Sequence, residues 1–224
     1  MLLSEELWQA NKDIVHSCFH SSFIQSLKND QLDKECFIQY LVQDSFLLEA
    51  MARTYSAAAA KAPDFYGFSV LHQFIAQLID ALGDRHQEIF LWNERPIQAA
   101  PRSQTQQYTD FLISTAWTEE IGVILSATVP YLKLHVELGM LTQCGDPQQT
   151  HRNWGLAYSC ESFQDQVLAM DALIDRYANP QKARYSTYRH SLLLLRLFFD
   201  SMAPTLTRSV DPWTLILDKP VYGS

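Results

Sequence analysis

The chain has 224 residues, a length typical of one large domain rather than two small ones. Hydrophobic residues make up 47% and charged residues 19%, which excludes disorder as the main state because enough apolar surface is available for burial. Glycine (7) and proline (9) are scarce, which favours long uninterrupted elements over a turn-dense sandwich or barrel. The net charge is −8 and the basic residues are scattered, so we expect no nucleic-acid partner.

The sequence also predicts a cytoplasmic protein with no membrane partner. No apolar run approaches the length of about 18 residues that a membrane span needs. The first six residues, MLLSEE, are acidic where a secretory signal is basic and then apolar. The cysteines have neither metal-binding nor disulfide-framework spacing, which favours a reducing compartment; they are Cys18, Cys36, Cys144 and Cys160.

Apolar residues recur at helical spacing along most of the chain, and no segment alternates as a strand does. Taken in chain order, helices are predicted over about 4–28, 33–61, 66–92, 103–115, 119–141, from 159 or 162 to 177, and 181–202. Ser4 is the predicted N-cap of the first helix, and Pro130 is expected to bend the fifth. The result is an all-α fold of seven or eight helices in a single domain, 1–203. The tail, 204–224, contains an apolar run and is expected to pack on the body or at a subunit interface.

Asp44 is the first residue that does not fit an ordinary helical bundle. It lies in a stripe with apolar residues on the second predicted helix, at positions 37, 40, 41, 44, 47, 48 and 51. Burying an ionised carboxylate without partners costs several kcal/mol. Asp44 is therefore hydrogen-bonded, protonated or part of a polar cavity, and a purely structural aspartate that ties helices together is an equally good interpretation.

A second unusual stripe combines small residues with two polar rings; its members are Ile124, Ala127, Thr128, Tyr131, His135 and Leu138. A histidine on such a face is more often a satisfied core residue than a catalytic one. Tyr108 by itself has the pattern of an ordinary core tyrosine. Trp154 and Tyr158 are predicted just before a helix start, where aromatic residues often cover a pocket. No glycine-rich phosphate loop or GxSxG motif is present.

Several of these segments resemble the TenA (thiaminase II) family. The opening, 6–24, is followed by the pattern Phe-x-x-Tyr-Leu-x-Gln-Asp over 37–44, which is the most specific part of the resemblance. Further similar segments are Tyr108–Leu112, Trp154–Phe163 and Phe198–Asp200. Order and spacing agree over about 5–203.

The resemblance implies a haem-oxygenase-like helical bundle, assembled as a homo-oligomer (dimer or tetramer), with a pocket for a small pyrimidine ligand. Family members hydrolyse aminopyrimidines derived from thiamine and so salvage hydroxymethylpyrimidine; we expect no cofactor and no metal. By position, Asp44 is expected to hydrogen-bond the pyrimidine, while Tyr108 and Tyr158 assist proton transfer, and these three are the expected catalytic residues. The expected substrate contacts are Leu47, Tyr131, His135 and Phe198.

The sequence departs from the family pattern at two principal catalytic positions. Tyr131 stands where the nucleophilic cysteine is expected, and Leu195 where a glutamate is expected; His135 replaces a tyrosine. A tyrosine hydroxyl, with a pKa of about 10, is a poor nucleophile near neutral pH. Three interpretations stay open: an aminohydrolase that works by acid–base chemistry, a non-catalytic pyrimidine- or thiamine-binding protein, and a redirected enzyme that acts on another small heteroaromatic or uses a bound metal.

Overall fold

The computed structural model describes residues 1–93, 99–142, 151–177 and 183–203. Within these ranges the chain forms ten α-helices and no β-strand, which confirms the predicted all-α class. The helices are α1 (Leu3–Ala10), α2 (Lys12–Phe19), α3 (Ser22–Lys28), α4 (Lys34–Ala60), α5 (Phe65–Asn93), α6 (Ser103–Thr118), α7 (Ile121–Thr142), α8 (Arg152–Ser159), α9 (Glu161–Tyr177) and α10 (Ala183–Ser201).

The N-terminal segment is three short helices rather than the single predicted helix. Asn11 ends α1, and its side-chain amide donates to the Leu7 carbonyl oxygen (2.8 Å). Ser21 begins α3 as its N-cap, because its hydroxyl accepts from the Ile24 backbone N–H. The prediction that Ser4 is an N-cap was wrong, since α1 begins before it and its hydroxyl donates to Asp175 of α9 (2.9 Å).

Helices α4 and α7 form the centre of the bundle. The N-cap of α4 is Asp33, whose carboxylate accepts from the Cys36 N–H (2.7 Å). Every residue of α7 from Ile121 to Leu132 is buried. Helix α7 is long and apolar enough to cross a membrane, but 83% of its most apolar window is covered by the rest of the protein. Such burial is typical of a core helix.

The start of α6 is fixed to α4 through the side chain of Gln43. Its amide oxygen accepts from the Arg102 backbone N–H (2.8 Å) and from the Thr105 hydroxyl (2.7 Å). Its amide nitrogen donates to the Ala100 carbonyl oxygen (3.1 Å). The segment that precedes α6 is thereby attached to the α4 turn that carries Asp44.

Helices α7 and α8 approach each other closely at two glycines. A Cβ at Gly139 would lie 2.7 Å from the Gly155 carbonyl oxygen and 2.9 Å from the Ser159 nitrogen, so only glycine allows this contact. The approach brings Trp154 and Tyr158 against α7. These two residues lie within α8, not before a helix start as predicted, and Cys160 rather than either serine precedes α9.

Parts of the prediction fall outside the described residues. These are part of the connection between the helices predicted to end at 141 and to begin at 159 or 162, the predicted break between 177 and 181, and the tail over 204–224. The domain boundary at 203 and the docking of the tail therefore stay predictions.

Candidate functional site

Asp44 is fully buried in the middle of α4, as its position in the stripe predicted. The hydroxyl of Tyr131, from α7, donates to its Oδ1 (2.6 Å). The guanidinium of Arg85, from α5, donates to its Oδ2 (3.3 Å). Both carboxylate oxygens are therefore engaged by side chains from two other helices, and the carboxylate is paired with a cation.

Arg85 is the functional candidate that our sequence analysis missed. Its side chain is nearly buried, and besides Asp44 it donates to the hydroxyl of Tyr158 (3.3 Å). A signal for it was available, because Arg85 continues the apolar stripe of α5 that contains Leu71, Phe74, Leu78 and Ile89 at spacings of three, four and seven residues. A charged residue in such a stripe indicates a buried partner, here the carboxylate of Asp44.

Two phenols meet beside the carboxylate. The hydroxyls of Tyr131 and Tyr158 lie 3.4 Å apart. Burial, reinforced by the negative charge of Asp44, raises the pKa of Tyr158 to about 12 and that of Tyr131 well above its usual value. Both phenols therefore keep their protons near neutral pH and serve as hydrogen-bond donors rather than nucleophiles.

His135 is neutral and has partners at both ring nitrogens. Its Nδ1 lies 2.8 Å from the carbonyl oxygen of Tyr131, so Nδ1 carries the proton. Its Nε2 then accepts from the hydroxyl of Tyr40 (3.0 Å). Burial lowers the pKa of His135 to about 4. The imidazole also stacks on the Tyr131 ring, with 3.8 Å between ring centroids.

The remaining predicted residues fall in two places. Leu47 and Phe198 are fully buried, and the ring of Phe198 lies 6.0 Å from that of Tyr40, beside the Asp44 network. Tyr108 belongs to a separate chain of hydrogen bonds, where its hydroxyl donates to Ser191 Oγ (2.9 Å) and Ser191 donates to the Ala127 carbonyl oxygen (2.7 Å). The described contacts therefore connect Tyr158, and not Tyr108, with Asp44.

Trp154 lies against the same network and has an unused donor. Its ring centroid is 5.1 Å from that of Tyr158 and 5.7 Å from that of Tyr40. The indole is buried, and its Nε1 has no hydrogen-bond partner among the residues that the structure describes. A buried donor without a partner costs about 1–3 kcal/mol, so an acceptor at this position would stabilise the protein.

The network is tightest at its centre and looser on one side. The bond from Tyr131 to Asp44 is short, whereas the contacts of Arg85 with Asp44 and Tyr158, and that between Tyr131 and Tyr158, are 3.3–3.4 Å long. Typical N–H···O bonds are about 2.7–3.2 Å. Arg85 and Tyr158 are also slightly exposed (8% each), while Asp44, Tyr40 and His135 are inaccessible. The loose side therefore faces the surface.

A metal site is not evident in the described part of the chain, where no three histidine, cysteine, aspartate or glutamate side chains lie close enough together to hold an ion. The protonated phenols and the neutral imidazole instead offer hydrogen-bond donors and acceptors around one carboxylate. This arrangement can orient a heteroaromatic ring through hydrogen bonds.

Residues 8–193 match the TENA/THI-4/PQQC family. The thiamine biosynthesis multifunctional protein ThiED of Corynebacterium efficiens is 27% identical over 203 residues, covering 87% of this chain and 27% of that protein, so this chain spans about a quarter of that relative. The aminopyrimidine aminohydrolase of Bacillus subtilis is 25% identical over 172 residues, covering 75% of this chain and 73% of that protein.

The structural comparison agrees with the sequence match. A TenA homologue from P. horikoshii OT3 superposes with a TM-score of 0.83 at 18% identity, covering 90% of this chain and 98% of that chain, which establishes a shared fold. The haem-oxygenase-like bundle expected from the resemblance is thus confirmed. Because the family match covers most of the chain, the protein belongs to the TENA/THI-4/PQQC family.

Proposed function

We propose that the protein hydrolyses an amino-substituted pyrimidine derived from thiamine or its breakdown products, by acid–base chemistry without a cysteine nucleophile. The observation that carries the proposal is the buried Asp44 carboxylate, bonded to Tyr131 and surrounded by phenols that stay protonated. The similarity to an aminopyrimidine aminohydrolase supports the substrate class. We further propose that the protein works in the cytoplasm as a homo-oligomer.

Recognition of the ring rests on complementary hydrogen bonds and aromatic faces. An aminopyrimidine presents N–H donors and ring-nitrogen acceptors along one edge. The Asp44 carboxylate accepts from the donors, and the unpartnered Nε1 of Trp154 supplies a donor for an acceptor. Entry of the ligand exchanges the long contacts of the Tyr158 hydroxyl with Arg85 and Tyr131 for contacts with the ligand, while the ion pair between Arg85 and Asp44 stays in place.

The proposed reaction replaces the amine by a hydroxyl group. The oxygen of a water molecule forms the new C–O bond, the C–N bond breaks, and ammonia leaves. We assign proton transfer to Tyr158, which lies at the loose side of the network, donating to the leaving amine and regaining a proton from the attacking water. Tyr131 is unsuited to nucleophilic attack because its hydroxyl keeps its proton: it donates a hydrogen bond to Asp44, and burial raises its pKa.

The experiment is an assay of C–N hydrolysis, measured as release of ammonia from aminomethylpyrimidine and of formamide from its formyl derivative. Turnover is expected to be slow, because acid–base catalysis alone contributes about 10²–10⁴-fold. Asp44→Ala is expected to abolish it and Tyr158→Phe to lower kcat. Tyr188→Phe is the matched control, since it also removes a buried phenol hydroxyl. That hydroxyl lies on α10 and has no hydrogen-bond partner in the described part of the chain.

A second candidate is a binding protein that has lost the chemistry. It is favoured by Leu195, a fully buried aliphatic side chain at the position where the family resemblance places a glutamate. A thermal shift with hydroxymethylpyrimidine but no ammonia release would select it. A redirected enzyme would show neither the thermal shift with hydroxymethylpyrimidine nor the ammonia release. If such an enzyme depends on a metal, metal analysis of the freshly purified protein would identify it. If the protein neither binds a pyrimidine nor releases ammonia, the proposed function is wrong.

A further inference from the structure

The buried charges of the candidate site balance one another. Asp44 contributes one negative charge and Arg85 one positive charge, and the two are in contact. The other titratable groups around them are Tyr40 on the same helix, Tyr131 and His135 on α7, and Tyr158 on α8. All four are uncharged near neutral pH, so the net charge of the group is zero.

Three side chains of this group keep their charge over a wide pH range. Burial lowers the pKa of His135 to about 4 and raises that of Tyr158 to about 12. Burial alone lowers the pKa of Arg85, but its interactions with Tyr158 and Asp44 raise it overall, so the guanidinium stays protonated. Between mildly acidic and moderately alkaline pH, the side chains of His135, Tyr158 and Arg85 therefore do not change their charge.

We propose that Arg85 makes this site select uncharged pyrimidines over cationic pyrimidines of the same shape. The inference rests on the proposed function and deepens it. A cation that leaves water for this site loses its hydration and meets no net negative charge in return. It also approaches the guanidinium, which lies on the side of the network nearest the surface. An uncharged ligand with a hydroxyl or acyl oxygen instead offers Arg85 an acceptor.

The selection has a consequence for the proposed reaction. A free aminomethyl group is mostly protonated at neutral pH and would bind poorly. The form that binds is its deprotonated fraction, or a derivative whose amine is acylated and carries no charge. The uncharged alcohol product would bind better than the cationic substrate, and we therefore expect it to inhibit turnover of the free amine.

Hydroxymethylpyrimidine and aminomethylpyrimidine form a matched pair for the test, because they differ in one substituent. This substituent is an uncharged hydroxyl in the first and an amine, mostly protonated at neutral pH, in the second. Dissociation constants at neutral pH are measured by calorimetry for the wild type, Arg85→Lys and Arg85→Gln. We expect the wild type to bind the alcohol at least roughly tenfold more tightly than the amine. Arg85→Lys keeps the charge and the preference. Arg85→Gln leaves the Asp44 carboxylate without a cation, so the preference narrows or reverses.

A measurement on the wild type alone covers the case in which Arg85→Gln does not fold. Affinity for aminomethylpyrimidine is followed with rising pH. Because His135, Tyr158 and Arg85 keep their charge over this range, the affinity should rise as the ligand amine loses its proton, while affinity for the alcohol stays constant. A flat or falling affinity for the amine overturns the inference, as does an unchanged preference in Arg85→Gln. If neither pyrimidine binds to any variant, the proposed function itself is wrong and this inference falls with it.

Discussion

Replacing Asp44 by asparagine tests whether the buried carboxylate and Arg85 act as one ion pair. At the 3.3 Å contact distance, the gross Coulomb attraction is about 5 kcal/mol at an effective dielectric constant of about 20. Asp44→Asn keeps the shape but leaves the guanidinium buried without its counter-ion, and we expect a loss of about 3–5 kcal/mol in the free energy of unfolding. Arg85→Met, which leaves the carboxylate unpaired, should cost a similar amount.

The double variant, Asp44→Asn with Arg85→Met, should lose much less than the sum of the single variants, because neither buried charge then lacks a partner. Urea unfolding of the four proteins gives the coupling energy, which we expect to exceed about 2 kcal/mol. The matched control is the same cycle on Glu49 and Arg53, which are closer (2.7 Å) but exposed, and its coupling should be near zero. Additive effects for Asp44 and Arg85 would refute the reasoning.

Three further predictions concern stability. Because His135 has a pKa of about 4 in the folded protein and about 6.5 when unfolded, only the unfolded state gains a proton in that range, so stability falls as the pH drops through it. The free energy of unfolding of the wild type relative to His135→Asn should fall by about 3 kcal/mol between pH 7 and pH 4; a pH-independent difference would contradict the assignment. Gly139→Ala should cost about 1–3 kcal/mol in urea unfolding, because the added methyl meets the α8 backbone. Gly83→Ala, where the methyl meets nothing, should instead stabilise by about 0.5–1 kcal/mol, and a loss at Gly83 would contradict the packing. Lys61→Met should destabilise by about 1–2 kcal/mol in thermal unfolding, since the Lys61 ammonium donates to the Ala116 and Glu119 carbonyl oxygens at the end of α6, whereas Lys61→Arg should retain part of this stability.

The sequence predicted the long helices well because their apolar stripes are strong and continuous. The burial of Asp44 followed from the same periodicity. The N-terminal segment was predicted as one helix because its apolar spacing continues through the breaks at Asn11 and Ser21, where local side-chain hydrogen bonds decide the boundary. Helix α8 was missed because it is only eight residues long, too short for a periodic pattern to be distinctive.

The candidate site was harder to predict than the fold because its contacts join distant parts of the chain. Periodicity places Asp44, Arg85 and Tyr131 on inward faces of three helices, but it does not show which faces meet. The resemblance grouped Tyr108 with Tyr158, whereas the described hydrogen bonds place Tyr108 with Ser191. The catalytic role of Tyr108 stays a prediction, and the activity of Tyr108→Phe tests it.

The attachment of α6 through Gln43 changes how the Gln-Asp pair of the family-like pattern should be understood. The two neighbours have different roles. Gln43 hydrogen-bonds the segment that precedes α6, and Asp44 accepts a hydrogen bond from Tyr131 at the centre of the bundle. A protein could thus keep the Gln-Asp dipeptide because the fold needs it, even after the catalytic activity has changed. The Gln-Asp dipeptide in a distant relative is therefore weaker support for shared catalysis than the aspartate together with a tyrosine at the position of Tyr131.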